Sequence, residues 1–137
     1  MNLKKRKDSS LVLIFFLVLA DQSTKFLALT FLPTVCNHAY ALGWLEQIFS
    51  IYVPIGALLL LFYFLGRAQT KLARLSYALI VAGGFANLID RVLRGCVVDY
   101  VTLFTFPSFN FADVLISGGA TCLVISFFVK TPNKDES

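Results

Sequence analysis

Charge is what this sequence has least of. Only 15% of its 137 residues are Asp, Glu, Lys or Arg, where soluble domains carry about 25%. In their place stand 58% apolar residues, 14 of the side chains are Phe, and the mean hydropathy is +0.77. That imbalance excludes a soluble globule. Cysteine is scarce as well: Cys36, Cys96 and Cys122 have no metal-ligand spacing and are odd in number, so no zinc site is expected. Repeats, low-complexity tracts and linkers are missing, and the residues outside the apolar stretches are too few for a separate soluble domain of about 50 residues or more. The expectation is one small membrane domain, residues 1–137.

Four stretches, 11–32, 48–66, 72–93 and 111–129, are long and apolar enough to cross a hydrocarbon core of about 30 Å at about 1.5 Å per residue. The expected fold is therefore an all-α membrane protein of four transmembrane helices. Pro33 ends the first span, Gly66 and Arg67 the second, and Gly95 follows the third, while Pro107, Ser108 and Asn110 precede the fourth. Pro54 and Gly56 interrupt the second near its start, which membrane helices tolerate. Within 34–45, Gly43 and a lack of helix signals leave short strand pairing open.

Most of the 12 basic residues stand at span ends: Lys4, Lys5, Arg6 and Lys7 before the first, Arg67, Lys71 and Arg74 between the second and third, Lys130 and Lys134 after the fourth. An even number of spans puts these segments on one side, and their charge marks that side as cytoplasmic, with both termini inside. Segments 33–47 and 94–110 then face outward, with Arg94 as their clearly extramembrane cation. No basic stripe or stacking platform supports a nucleic-acid partner. The basic start and apolar 11–20 also have the form of a signal peptide, with Val18-Leu19-Ala20 as its cleavage site. The apolar pattern resumes at Phe26, so an uncleaved first helix is expected. Cys122 falls inside the fourth span, where packing is the default, and Cys36 and Cys96 fall in the outward segments. Two free thiols are expected there, a disulfide being the open alternative in an oxidising compartment.

Ionisable groups inside a bilayer cost at least about 2.5 to 3.5 kcal/mol on insertion scales, so those present should have partners. Asp21 and Lys25, four apart on one helix face, have the orientation that favours an ion pair. Asn87, Asp90 and Arg91 share another face by spacings of three and four. For both clusters the first reading is a staple between helices. Asp99 and Asp113 differ, because no base at helical spacing accounts for them. Asn110 can cap the fourth helix, which puts Asp113 in its third position and gives it an ordinary capping role; capping leaves Asp99 unexplained. Two acids meeting at the membrane surface, partly desolvated, could not both ionise easily. Such a pair supplies a base for water and an acid for a leaving amine.

The blocks Asp21-Gln22-Ser23-Thr24-Lys25, 37–43, Gly83-Gly84-Phe85-Ala86-Asn87-Leu88-Ile89-Asp90-Arg91, Val97-Val98-Asp99-Tyr100 and Phe109-Asn110-Phe111-Ala112-Asp113 resemble, in order and in span position, those of the lipoprotein signal peptidases, or signal peptidase II. The resemblance implies an intramembrane aspartyl protease of the bacterial cytoplasmic membrane that cleaves signal peptides from prolipoproteins immediately before a diacylglyceryl-modified cysteine. It implies that Asp99 and Asp113 are the catalytic dyad. Asp21, Lys25, Asn37, Asn87, Asp90, Arg91, Asn110 and Ala112 would then shape the site and contact substrate, surrounding lipid or the peptide antibiotic globomycin, with no metal and no organic cofactor. Asp90 would be a supporting acid. Ala39 and Leu42 replace a Gly and a Phe usual in the family, and Ala86 replaces a Gly. These departures bear on substrate range, loop geometry and inhibitor fit more than on the chemistry.

Two other classes compete. A small transporter with Asp21, Lys25, Asp90 and Arg91 as a mid-membrane relay would need polar residues through both leaflets, yet the second span offers only Ser50 and two Tyr. An inactive scaffold that binds lipoprotein signals is opposed by an intact pair of acids.

Overall fold

The computed structural model describes residues 3–38 and 44–129. In chain order they form α1 (Leu3–Phe31), β1 (Val35–Asn37), α2 (Trp44–Arg67), α3 (Lys71–Arg94), β2 (Val97–Asp99) and α4 (Phe111–Phe128). The membrane-length segments Ser9–Phe31, Ile48–Arg67, Lys71–Arg94 and Phe111–Phe128 match the four expected spans to within a few residues. Ala39, Leu42 and Gly43, like Lys130 and Lys134, lie outside the described residues.

α3 is the hub, with α1, α2 and α4 each packed against it. Its span is 39% buried, against 22% for α1, 17% for α4 and 11% for α2. Small residues make this possible, because lipid offers no hydrophobic drive for helices to associate and close backbone approach must hold them. Gly83 faces the Ala112 carbonyl and Ile116, and Gly119 faces the Ser76 carbonyl and Ile80, so a Cβ at either would collide. Ile14, Leu58, Leu65, Ala78, Val81, Ala82, Leu88 and Leu115 fill the apolar core, while Phe15, Phe16, Phe26, Tyr52, Leu59 and Phe127 face outward, each more than half exposed. The largest fully buried side chains are instead mostly polar, Lys25, Asp21, Asp90, Asp99 and Asn110 among them. This inversion suits a chain whose surroundings are hydrocarbon.

The ends of α3 prepare the site. Thr70 caps its start, its Oγ1 accepting from the Ala73 N–H at 3.0 Å. Gly95 ends it in the left-handed region, at φ 74°, its N–H donating to the Arg91 carbonyl at 3.1 Å, a conformation in which any Cβ is strained. The chain can therefore reverse at once into β2. β2 pairs antiparallel with β1, Val35 opposite Asp99, Cys36 opposite Val98 and Asn37 opposite Val97. The strand pairing left open in 34–45 is thus realised. The expectation of two free thiols is not: Cys36 and Cys96 form a disulfide, their Cα atoms 5.5 Å apart, because the register of the two strands brings them together across 60 residues of sequence. A bridge from Val101 to Phe109 then returns the chain to Asn110, where α4 begins.

Candidate active site

The start of a helix leaves its first N–H groups without partners, a serious cost inside a membrane protein. At α4 side chains meet them all. The Asp113 N–H donates to Asn110 Oδ1 and the Asn110 N–H donates to Asp113 Oδ2, each at 3.0 Å, closing a reciprocal capping box. The Ala112 N–H donates to Asp21 Oδ1 at 2.8 Å, and the Phe111 N–H donates to the Tyr100 hydroxyl at 3.2 Å, which itself donates to Thr24 Oγ1. The capping role read for Asp113 is therefore real. It leaves the second oxygen, Oδ1, to accept from Asn87 Nδ2 at 3.0 Å.

Asp99 ends β2 and is 2% exposed. Its Oδ1 accepts from Asn110 Nδ2 at 2.8 Å and its Oδ2 from Asn37 Nδ2 at 3.1 Å. Asn110 thus touches both acids: its amide nitrogen holds Asp99, and its backbone N–H and amide oxygen hold Asp113. Burial pushes the Asp99 carboxyl above the ordinary aspartate range, and the neighbouring charge of Asp113 adds to the rise; the amides of Asn37 and Asn110 and the charge of Lys25 pull the other way. Burial prevails.

A second cluster lies behind the pair. Lys25 Nζ meets Asp21 Oδ2 at 2.7 Å, Asp90 Oδ2 at 2.8 Å and Asn87 Oδ1 at 3.0 Å, and all three charged side chains are fully buried. Those contacts engage every proton an ammonium has. The ion pair read from the spacing of Asp21 and Lys25 is present. Asp90 finds its cations in Lys25 and, at 2.6 Å, in Arg94, its Oδ2 also accepting from the Val98 N–H. Arg91, although adjacent to Asp90, enters no ion pair among the described residues. Asn87 joins the two clusters, since its oxygen accepts from Lys25 and its nitrogen donates to Asp113.

Of the ten residues singled out from sequence, Asp21, Lys25, Asn37, Asn87, Asp90, Asp99, Asn110, Ala112 and Asp113 converge on this network, Ala112 through its backbone. Arg91 stands apart from it. Gln22 was overlooked: its Nε2 donates to Asp90 Oδ1 and the Ala86 carbonyl, and its Oε1 accepts from Arg94. The i, i+4 spacing of Asp90 and Arg94 was the available signal for that group. Tyr100 braces α4 against α1 through its hydroxyl.

Asp113 opens onto a cavity of about 380 Å³ lined also by Phe109, Val114, Ser117, Gly118 and Thr121. Its floor along α4 is made of small residues. One group of possible metal donors, Cys36, His38 and Cys96, comes within 4.8 Å among the described residues, but the two sulfurs are bonded to each other and leave only the His38 ring.

The profile of the signal peptidase (SPase) II family matches residues 13–129. The chain is similar to the lipoprotein signal peptidase of Serratia proteamaculans, 38% identical over 97 residues, which are 67% of this chain and 57% of that one. It is 44% identical over 88 residues to the Microcystis aeruginosa protein of the same name, covering 63% of this chain and 55% of that one. For the Caldicellulosiruptor bescii protein the figures are 36% over 107 residues, 77% and 70%. The chain spans little more than half the length of the first two relatives. A bacterial membrane enzyme solved by the in meso method at 2.3 Å superposes with a TM-score of 0.80 at 28% identity, over 95% of this chain and 93% of that one.

Proposed function

This chain belongs to the signal peptidase II family, and on that premise we propose that it is an aspartyl endopeptidase of the bacterial inner membrane that removes signal peptides from diacylglyceryl-modified prolipoproteins, cutting immediately before the lipidated cysteine. The observation that carries this reading is the shared grip of Asn110 on Asp99 and Asp113, two acids that have amide partners and, among the described residues, no ion pair. Lys25 has no proton left to offer them. The pair can therefore hold one proton between two carboxyl groups, as neighbouring acids do when both cannot ionise.

The chemistry follows from that one proton. The ionised member takes a proton from a water molecule as the water oxygen bonds to the scissile carbonyl carbon, and the protonated member gives its proton to the carbonyl oxygen. When the tetrahedral intermediate collapses, the C–N bond breaks, the cysteine nitrogen receives a proton from the pair, and the hydroxyl proton of the intermediate returns to it. The site is regenerated without a metal or an organic cofactor. The cavity beside Asp113 suits an extended segment with small side chains, because Ser117, Gly118 and Thr121 leave room along α4. Asn37 and Asn87, which hold the two acids, are assigned to their support, and Arg91, which stands apart from the network, is assigned to substrate contact on the family resemblance alone; globomycin would compete with substrate at the pair. We place the pair on the outward side, because the basic segments gather at the opposite ends of the helices.

The relay of a transporter finds little support, since the half of the bundle away from the pair is packed mainly with Ile14, Leu65, Ala78 and their apolar neighbours and buries only the neutral polar Ser10 and Ser76 among the described residues. The test is co-expression with a diacylglyceryl-modified prolipoprotein. Release of the signal peptide, blocked by globomycin, is expected; an inserted and abundant chain that releases none would overturn the assignment.

A further inference from the structure

The two faces of the small β-ribbon carry different chemistry. Successive side chains of a strand point to opposite faces. Asn37 and Asp99 share one face, where the Asn37 amide reaches diagonally to the carboxylate; Cys36 lies on the other, bonded to Cys96. β2 is wholly buried, whereas all three residues of β1 are exposed. A two-stranded ladder of three residues each is marginal on its own, and a slip of one residue would turn Asn37 away from the acid and present Cys36 or His38 instead.

We propose that the Cys36–Cys96 disulfide is a positioning element of the catalytic pair: it pins β1 in register from the back of the ribbon and thereby holds Asn37 Nδ2 on Asp99 Oδ2, so that cleavage depends on the oxidation state of these sulfurs. The inference rests on the dyad reading above. Its electronic signature is definite. The Asn37 amide favours ionised Asp99, so its loss moves Asp99 further upward. The other charged groups around Asp99, namely Asp113 on α4, Lys25 on α1 and, beyond Val98, Asp90 on α3, belong to elements the disulfide does not join. The exposed Cys36 sulfur is open to a thiolate. Dithiothreitol would break the Sγ–Sγ bond, supplying two electrons and two protons to leave two thiols while closing into its own cyclic disulfide; oxidised glutathione would reverse the step.

The experiment uses the full chain in detergent with a prolipoprotein substrate. Alkylation before reduction should label Cys122 alone. Dithiothreitol should lower kcat by roughly 10-fold, the scale of one hydrogen bond to a charged group, change KM little and move the pH–rate profile to higher pH, with recovery on reoxidation. Asn37→Ala should reproduce the shift and no longer respond to reductant. Cys36→Ala/Cys96→Ala, checked for retained helicity, should behave as the reduced chain, and Cys122→Ser as the wild type. An unchanged kcat and profile once alkylation shows both thiols free would overturn the proposal. So would free or metal-bound thiols before reduction, or additive effects of Asn37→Ala and reductant. If the oxidised chain cleaves nothing, the dyad reading fails separately, and the positioning claim is decided by the titration of Asp99 itself, read by carboxylate NMR, which must rise on reduction.

Discussion

Four aspartates meet at one end of this bundle, and burial does not sort them into pairs: Asp21 and Asp90 are fully buried and Asp99 is 2% exposed, while Asp113 is partly exposed. Their partners do. Asp21 and Asp90 touch Lys25 and the Gln22 amide, and Asp90 touches Arg94; Asp99 and Asp113 touch amides of Asn37, Asn87 and Asn110 and form no ion pair among the described residues. An ammonium has donors only and so fits a carboxylate, whereas a primary amide carries both a donor and an acceptor and can turn either toward a carboxyl group as its proton comes and goes. On the function proposed above, residues of one chemical type thus divide into scaffold and reagent by what surrounds them.

The largest effect should come from striking the amide-held pair. Asp99→Asn and Asp113→Asn should each cut cleavage by at least about 10³-fold with insertion and abundance retained, and the double variant should be no worse, since the two act as one unit. Signal-peptide release against quantified membrane protein measures this. Lys25→Ala strikes the other pair and should act on stability first, costing about 3 to 5 kcal/mol because it strands buried carboxylates. Denaturant unfolding in micelles reads that loss, and a double-mutant cycle with Asp21→Ala should show coupling.

A pH series sharpens the contrast further. Burial raises the pKa of Asp99 in the fold above its value in the unfolded chain, so between those two values the native state binds more protons. Its contribution to stability is complete below the unfolded value and is lost as pH rises through the raised one, with a slope of at most about 1.4 kcal/mol per pH unit. Thermal unfolding from acid to neutral pH should show this slope in the wild type and a flatter line in Asp99→Asn. The smallest effect belongs to Arg94→Ala, at about 1 kcal/mol or less, because its side chain is 29% exposed and Asp90 keeps Lys25. That loss should shrink as salt is added.

Much of this was legible in the chain. The four spans follow from apolar length, and their ends from Pro33, Gly95 and Asn110; the capping box follows from the three-residue spacing of Asn110 and Asp113, and the pair of Asp21 and Lys25 from a spacing of four. Asp90 shows the limit of such reading. Its cations are Lys25, 65 positions away on another helix, and Arg94, while adjacency in the sequence favoured Arg91. The Asn37 contact and the disulfide depend on the register of two three-residue strands, too short to carry any periodicity. Asn37 and Ala112 entered through family resemblance, and what Ala112 supplies is a backbone N–H that side-chain chemistry cannot announce.

The beginning of α4 carries a consequence for how the molecule comes into being. Its N–H groups are met by Asp21 of α1, by Tyr100 of the connection that precedes it and by its own Asn110 and Asp113, and α4 follows α1 and α3 in the chain. Until it arrives, Asp21 lacks the Ala112 N–H, Asn87 Nδ2 lacks Asp113 and Asp99 lacks the Asn110 nitrogen. A partly synthesised chain therefore carries one acid of the pair and no means of sharing a proton. On the function proposed above, the paired site is therefore complete only once α4 has docked against α1 and α3.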